Sequence, residues 1–357
     1  TMIDQELRDT AGALGWDIEK LRRMAKLIRR DVLIQVTNAQ SGHPGGPLSA
    51  ADYLTALWFR YLRVDPKNPK WEERDRFVMS NGHCSALNYA LLARRGFFDP
   101  AYLLTFRTTK SRLQGHPNAL KLPGLEVNTG SLGQGLSVAH GIALGLKLQA
   151  SPARVFCNCG DGELQEGNIW EAVMAAGHYK TDNLVVTVDW NDAQIDGKMH
   201  QVMNVNPIDD KFEAFGWYMI VADGHDFNDI LRAYDEAIDH RGDPVCILFK
   251  TTMMYPLPSF MDWEGKRNNW KWHGKPLSYE QCDQALKELY ADGEPDYEGK
   301  IFTSFEEARR SYGVKNYLEA WLSFGDPLEG EAKEFIEKYY TVREETDEKT
   351  RYKLEYV

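Results

Sequence analysis

The stretch RVFCNCGDGELQEGNIWEAVMAAGHYKTDNLVVTVDWNDAQIDG, residues 154–197, decides the architecture. Val155 to Cys159 is short and apolar and ends at Gly160-Asp161-Gly162, the pattern of a buried strand followed by a turn. Ile169, Val173, Ala176 and Lys180 then recur at helical spacing. Glu166 lies near the start of that helix and Lys180 near its end, as the helix dipole favours. Leu184 to Val188 is a second apolar run, rich in valine. Strand, helix and strand with short connections predict a βαβ crossover and parallel strands.

The polar residues fall at telling places. Asp161 sits just past the carboxyl end of the first strand and Asn191 just past that of the second. In an open α/β sheet those ends share one edge, and ligands bind there. A carboxylate and an amide oxygen are hard oxygen ligands, and Mg²⁺ takes a few of these and completes its octahedron with phosphate and water. The stretch therefore predicts a Mg²⁺-bridged diphosphate. Taken alone it is equally compatible with an ordinary Gly-Asp-Gly turn beside a polar strand end.

The 357 residues suffice for two average domains or one large α/β domain with an extension. A net charge of −11 argues against a nucleic-acid or anionic-membrane surface. No apolar run approaches the roughly 20 residues that span a bilayer, and the N-terminus lacks the apolar core of a secretion signal. Cys84, Cys157, Cys159, Cys246 and Cys282 form no disulfide framework. Cys157 and Cys159 merely share a strand face and have no matching Cys/His pair, so buried apolar thiols in a reduced cytoplasmic setting are expected.

Working outward, residues 4–39 read as a helix with Leu21, Met24, Ile28, Val32 and Val36 on one side. Ser41 to Pro47, with two prolines and three glycines, reads as a rigid loop, and a helix is expected from near Leu48. Arg76–Ser80 is a predicted strand, leading through Asn81-Gly82-His83 into a helix over 85–95. Asn128 to Gly135 opens a small-residue helix reaching Leu148, and glycines at a helix start let backbone N–H groups approach a phosphate. Strands are predicted at Tyr218–Ala222 and Val245–Phe249, flanking a helix over 227–240. These elements predict a doubly wound α/β fold, a mostly parallel sheet with helices on both faces. Residues 251–275 read as a long aromatic loop, of the kind that is a functional lid or disordered. A helix is expected over 278–291. Beyond about 292 a mainly helical extension is expected, with helices over 304–312, 315–324 and 328–340 and a charged end at 341–357.

Five of the nine histidines follow a glycine: His43, His83, His116, His178 and His225. His178 ends a helix and reads as structural, as does His225 in its turn. His140 lies in an apolar helix and reads as core, and His200 and His240 carry no signal. His43, His83 and His116 differ in sitting in Gly/Pro-rigidified loops, where an α/β scaffold concentrates catalytic groups. Several histidines around one diphosphate suit acid–base chemistry on a hydroxylated substrate near neutral pH.

Eight short motifs then occur in one order: SGHPGG (41–46), SNGH (80–83), GHP (115–117), NTGSLGQG (128–135), GDGELQEG (160–167), VDWNDAQIDG (188–197), DGHD (223–226) and WHGK (272–275). In this the chain resembles transketolase, specifically the thiamine-diphosphate-binding N-terminal subunit of split transketolases. SGHPGG and GHP favour transketolase over deoxyxylulose-phosphate synthase, and GSLGQG and VDWN resemble the split-subunit branch.

The resemblance implies that Asp161, Asn191 and the carbonyl of Ala193 hold Mg²⁺. It implies that Gly130, Leu132, Gly162 and Asn191 contact thiamine diphosphate, with His83 facing the diphosphate. Glu166 would lie at a subunit interface near the cofactor ring, and Glu171 matches a further acidic position. His43, His116 and His273, with His83, would line the substrate channel and move protons on a ketose. The implied function is transfer of a two-carbon ketol unit from a ketose or ketose phosphate to an aldose, the cofactor carrying the carbanion chemistry. The family's pyrimidine-binding domain is missing, so a separate C-terminal subunit, in an α2β2 heterotetramer, is the implied partner. Residues 1–290 would form the cofactor-binding domain and 291–357 an extension for partner contact. The family's Gly-x-Gly turn is replaced by Met253-Met254-Tyr255-Pro256. That puts Met253 at a cofactor-binding position, removes backbone freedom and leaves the path to His273 open. A carboligase acting on a modified sugar, or a non-catalytic cofactor-binding regulatory subunit, are the alternatives.

Overall fold

A computed structural model describes residues 15–263, 266–267, 269–315, 317–325, 340–345 and 351–356. One parallel sheet is built from β1 (Arg76–Met79), β2 (Val155–Gly160), β3 (Leu184–Trp190), β4 (Tyr218–Asp223) and β5 (Val245–Lys250). The strand order is β1-β2-β3-β5-β4, and every neighbouring pair is parallel. The main helices are α1 (Ile18–Ala39), α2 (Ser85–Arg95), α3 (Gln134–Leu148), α4 (Gly167–His178), α5 (Phe227–Asp239) and α6 (Tyr279–Leu289).

The strand pleat sorts the core into two layers. Val78, Val155, Cys157, Cys159, Val186, Val188 and Leu248 face one layer with Leu136 and Ala143 of α3 and Ile169 and Val173 of α4. Phe77, Met79, Phe156, Val185, Ile247 and Phe249 face the other, against α1, α2, α5 and α6. Successive residues of a strand point to opposite faces, so an apolar run buried on both sides needs helices on both sides. Cys157 and Cys159 are fully buried free thiols on the first of these faces. Among the described residues no helix is long and apolar enough to cross a membrane.

Several boundaries differ from the sequence reading. Helix α1 starts at Ile18 because Asp17 caps it, its carboxylate accepting from the Lys20 N–H at 2.8 Å; residues 4–14 lie outside the described residues. The loop at 41–47 is shorter than expected. Helix begins at Gly45, since Pro47 falls in the first turn, where its missing N–H costs nothing. The region 251–275 is no free loop. Met253, Met254, Leu257 and Phe260 are core residues. A helical turn at Pro258–Met261, a two-residue ladder of Asp262–Trp263 with Lys266–Arg267 and a 3₁₀ turn at Trp270–Trp272 follow.

The extension starts as an integral part of the fold. Arg30 of α1 pairs with Asp296 and Glu298, Arg94 of α2 pairs with Asp31 and Glu298, and the Tyr312 hydroxyl donates to Asp31. Helices at Phe305–Arg310 and Tyr317–Ser323 match the first two expected there. Trp321 and Phe324 pack on Tyr102, with Phe324 4.6 Å from its ring centre. The helix expected over 328–340 lies outside the described residues up to 339. The charged end does not read as strand, yet Tyr340–Glu345 and Arg351–Tyr356 pair antiparallel. Its Tyr, Thr and Val content carries the β-propensity that the charges mask.

Candidate active site

All five strands are parallel, so their carboxyl ends meet at one edge. That edge receives Ser80 to His83 after β1, Asp161 to Glu163 after β2, Asn191 to Ala193 after β3, and His225 and Thr251 to Met254 after β4 and β5. Asp161 is buried, 2% exposed. Its carboxylate accepts from the Gly162 N–H at 2.8 Å and from the Asp192 N–H at 2.6 Å, which brings the turn carrying Asn191 against it. Burial, then the nearby Asp189, push the Asp161 carboxyl well above its usual range, against the pull of the two N–H donors. No cationic side chain offsets this charge among the described residues. Such a carboxylate is a place for a cation. Among the described residues no three His, Cys, Asp or Glu side chains cluster to hold a metal. The available set is one carboxylate, one amide oxygen and backbone carbonyls, which suits a hard cation that keeps positions for phosphate and water.

Asn191 is oriented by its neighbours. Its Nδ2 donates to Asp189 at 3.0 Å and its Oδ1 accepts from the Ala193 N–H at 3.0 Å. Asp189 is fully buried and also accepts from the hydroxyls of Ser49 and Thr251. It thereby ties the short helix at Gly45–Ser49 and the end of β5 to the Asn191 turn.

The glycine segment before α3 folds over this edge. Gly130 has φ +140° and Gly133 φ +83°, and a Cβ on either would meet the His116 ring at 2.9 Å or the Glu166 side chain at 2.6 Å. Only glycine fits there. Leu132 lies between them, half-buried. Gly162 borders Gln194, whose Cβ would lie 3.3 Å from an added methyl. Glu166 and Glu171 are exposed on the first two turns of α4.

His43, His83 and His273 form a cluster: ring centres are 5.1 Å apart for His43 and His83, 5.6 Å for His43 and His273, and 5.0 Å for His83 and His273. His116 adjoins it, stacked over Gly130. His43 is half-buried. Burial, then His273, Arg107 and His116, lower its pKa to about 4. Burial lowers His273 to about 4 against the pull of Asp196. Burial, then His273 and His43, hold His83 well below its ordinary value. Burial and Arg107 lower His116. All four are therefore neutral near pH 7, able to donate from one ring nitrogen and accept at the other. The buried Nδ1 atoms of His43 and His273 have no hydrogen-bond partner among the described residues.

The turn at 253–256 delivers His273 after all. Met253 is buried against Gly45, where an added Cβ would lie 2.8 Å from the Met253 side chain. Met254 takes φ +64°, at a cost of about 1–2 kcal/mol for a side chain with a Cβ. The cost is met by the core packing of both side chains and by its N–H donating to Gly45 O at 3.3 Å. His225 is structural, as read. Its Nε2 accepts from the Thr252 N–H at 2.9 Å, which leaves the Nδ1 proton to donate to Asp52 at 3.0 Å, and its ring stacks on Tyr255 at 3.7 Å. His140 is buried and bonded to Thr181 at 3.1 Å, and His178 ends α4.

Sequence reasoning missed Asp189, Glu163, Ser80 and Arg107. Asp189, two residues before Asn191, had a signal: a lone carboxylate at the end of an apolar strand. Arg107 had none. It reaches from an irregular loop to Ser41 Oγ at 3.1 Å and adjoins His43 and His116.

Comparison with known proteins finds the chain similar to transketolases. The family profile described as "Transketolase, thiamine diphosphate binding domain" matches residues 20–321. The 6-deoxy-6-sulfo-D-fructose transketolase subunit of Clostridium sp. (strain MSTE9) is 38% identical over 273 residues, which cover 76% of this chain and 97% of that subunit. An apulose-4-phosphate transketolase subunit from Phocaeicola vulgatus is 38% identical over 272 residues, 76% of this chain and 94% of its own. Among solved structures, a transketolase from Leishmania mexicana superposes with a TM-score of 0.72 at 30% identity, covering 89% of this chain and 47% of that one. The chain thus spans about half of that solved transketolase and nearly all of the subunit relatives.

Proposed function

The chain belongs to the transketolase family, and from that premise we propose that it is the diphosphate-binding subunit of a two-subunit transketolase. The reaction is transfer of a two-carbon ketol unit from a ketose to an aldose. The observation that carries this reading is the meeting, at one sheet edge, of the buried Asp161 carboxylate with three neutral histidines.

Asp161, the Asn191 side-chain oxygen and the Ala193 carbonyl would hold Mg²⁺. Gly130, Leu132, Gly162, Glu166, Asn191, His83 and Met253 would surround thiamine diphosphate. When bound, that cofactor supplies an electron sink for cleavage of the carbon–carbon bond beside the ketose carbonyl. The chain's own residues position the sugar and handle protons. Among the described residues His43 and His273 each carry a buried Nδ1 without a partner, a ready site for a sugar hydroxyl. Their low pKa makes them weak bases, suited to donating to an oxygen and relaying its proton rather than storing one. His83 and His116 extend the row toward the glycine segment.

A pyrimidine-domain subunit is the partner this reading requires, in an α2β2 assembly. Glu166, Glu171 and Met174 on the exposed face of α4 and Val138 on α3 are the surface it would use. Residues 1–290 would form the cofactor-binding domain, and the region from 291, joined to it through Arg30 and Arg94, would serve as an extension at that assembly. The donor is proposed to be a modified sugar. Two relatives are named for unusual sugars, and Met253 presses on Gly45 beside the histidine cluster.

The test is ketol transfer by the chain co-purified with its partner, comparing ordinary with modified sugar phosphates. Asp161→Ala should abolish both thiamine diphosphate binding and turnover; normal turnover in that variant would contradict the assignment.

A further inference from the structure

Glu163 follows Asp161 by two residues and has a different task. Its side chain is 2% exposed. Among the described residues it forms no ion pair. Its carboxylate instead gathers neutral donors from three separate elements. Oε1 accepts from the Ser80 hydroxyl, at the end of β1, and from the Gly133 N–H at 2.9 Å, at the start of α3. Oε2 accepts from the Gly160 N–H at 3.3 Å, at the end of β2. The elements are pressed together at this point, since a Cβ on Gly135 would lie 2.4 Å from Ser80 Oγ. Asn168 holds the same residue through its other backbone group, its Nδ2 donating to Gly133 O at 2.9 Å.

A buried carboxylate costs several kcal/mol in lost hydration unless donors replace the water. A hydrophobic side chain would fill the space more cheaply. What the carboxylate adds is direction: it accepts only, and each donor must point at it. Ser80 and Gly160 are anchored in the sheet, whereas Gly133 belongs to a segment of positive φ with no ladder of its own. The carboxylate therefore ties the glycine segment to the two sheet-anchored groups.

We propose that Glu163 is a positioning residue that holds the glycine segment 130–134 in register with the sheet edge, so that the segment is set before thiamine diphosphate arrives. This rests on the cofactor reading above for its ligand, though the clamp itself can be tested without it. Preorganisation of this kind raises affinity by removing the ordering cost from the binding step.

The chemistry of the clamp dictates the variants. Glu163→Gln can keep its oxygen on Ser80 and Gly133 and loses only the longest bond, to Gly160, where its amide turns a donor toward a donor. Glu163→Ala strips all three donors. The first readout is amide hydrogen exchange on the full chain alone. Exchange at Gly133 and its neighbours should quicken about tenfold or more in Glu163→Ala and less in Glu163→Gln, with β3 and residues 155–159 of β2 unchanged and Gly160, whose N–H loses its acceptor, quickening as well. The second is titration of the assembled two-subunit complex with thiamine diphosphate and Mg²⁺. Affinity should fall in the same order, with kcat at saturating cofactor largely kept.

Unchanged exchange at Gly133 and unchanged affinity in a folded Glu163→Ala would overturn the proposal. If that variant does not fold, an unchanged Glu163→Gln in both readouts does the same. A wild-type complex that fails to bind thiamine diphosphate would sink the cofactor reading instead, and the exchange result would still decide the clamp.

Discussion

Two of the polar clusters inside this molecule are built on opposite terms. Between α1, α2 and the extension, Arg30 and Arg94 meet Asp31, Asp296 and Glu298, and the hydroxyls of Tyr290 and Tyr312 donate to two of those carboxylates. Charge is answered by charge, and among the described residues only the buried Arg30 Nε of this cluster lacks a partner. At the sheet edge, His43, His83 and His273 crowd within 6 Å of one another, stay neutral, and leave two buried Nδ1 atoms without partners among the described residues. A cluster that satisfies itself has no use for a ligand. One that leaves donors and acceptors unpaired in a partly dry place is waiting for one. The first cluster is the mark of a stabilising joint and the second of a site.

The contrast can be broken from either side. The largest effect is expected at the histidines: His273→Ala should lower kcat of the assembled complex by about 10²–10⁴-fold. Its thermal unfolding midpoint should stay near wild type, because the Nδ1 of the ring has no partner to lose among the described residues. A comparable loss of stability would make the cluster structural. Next comes the joint. Arg30→Met removes the partner of buried Asp296 and should cost about 3–5 kcal/mol in denaturant unfolding. Cofactor affinity of the folded fraction should be unaffected. A near-neutral result would show that the joint contributes packing rather than charge.

Acid separates the clusters by pH window. The folded pKa of about 4 for His43 and His273 lies below the unfolded value of 6.5, so the unfolded chain binds more protons in between. Stability from their burial is full above pH 6.5 and is lost as pH falls toward 4. Glu298 acts lower. Burial pushes its carboxyl up, but Arg94 and Arg30 outweigh that and hold it at about 2, against 4.5 unfolded. Its contribution is present above pH 4.5 and lost below. Denaturant curves from pH 7 to 3 should thus decline in two stages, and His273→Asn should flatten only the first. The smallest effect serves as the control. Glu306 pairs with Arg309 and Arg310 at an exposed helix surface, and Glu306→Ala should change stability by no more than about 0.5 kcal/mol.

Much of this is legible from the chain. The parallel strands are marked by short apolar runs, and Asp161, Asn191 and the glycine segment by their places at strand ends and a helix start. His43, His83 and His116 are flagged by rigid Gly/Pro loops. Glu163 is not legible, because Ser80, Gly133 and Gly160 become its neighbours only when three strand ends align. The turn at 253–256 misleads for a related reason. The cost of Met254 in a left-handed conformation is visible locally, but the core contacts that offset it come from Gly45, about two hundred residues earlier. The aromatic stretch after it carries loop-like composition, yet Leu257 and Phe260 find a core to fill.

The sequence by itself determined the doubly wound sheet and the polar groups that gather at its carboxyl edge. Hydrophobic period and turn chemistry are local, and parallel strands with short crossovers leave only one edge for those groups. Tertiary structure alone decided which histidines meet, which carboxylate braces the glycine segment, and that the residues beyond 290 close onto α1 and α2 through a buried ionic joint. These are long-range pairings. Their energies depend on burial and on which donors and acceptors are left over after packing, and no spacing along the chain records that.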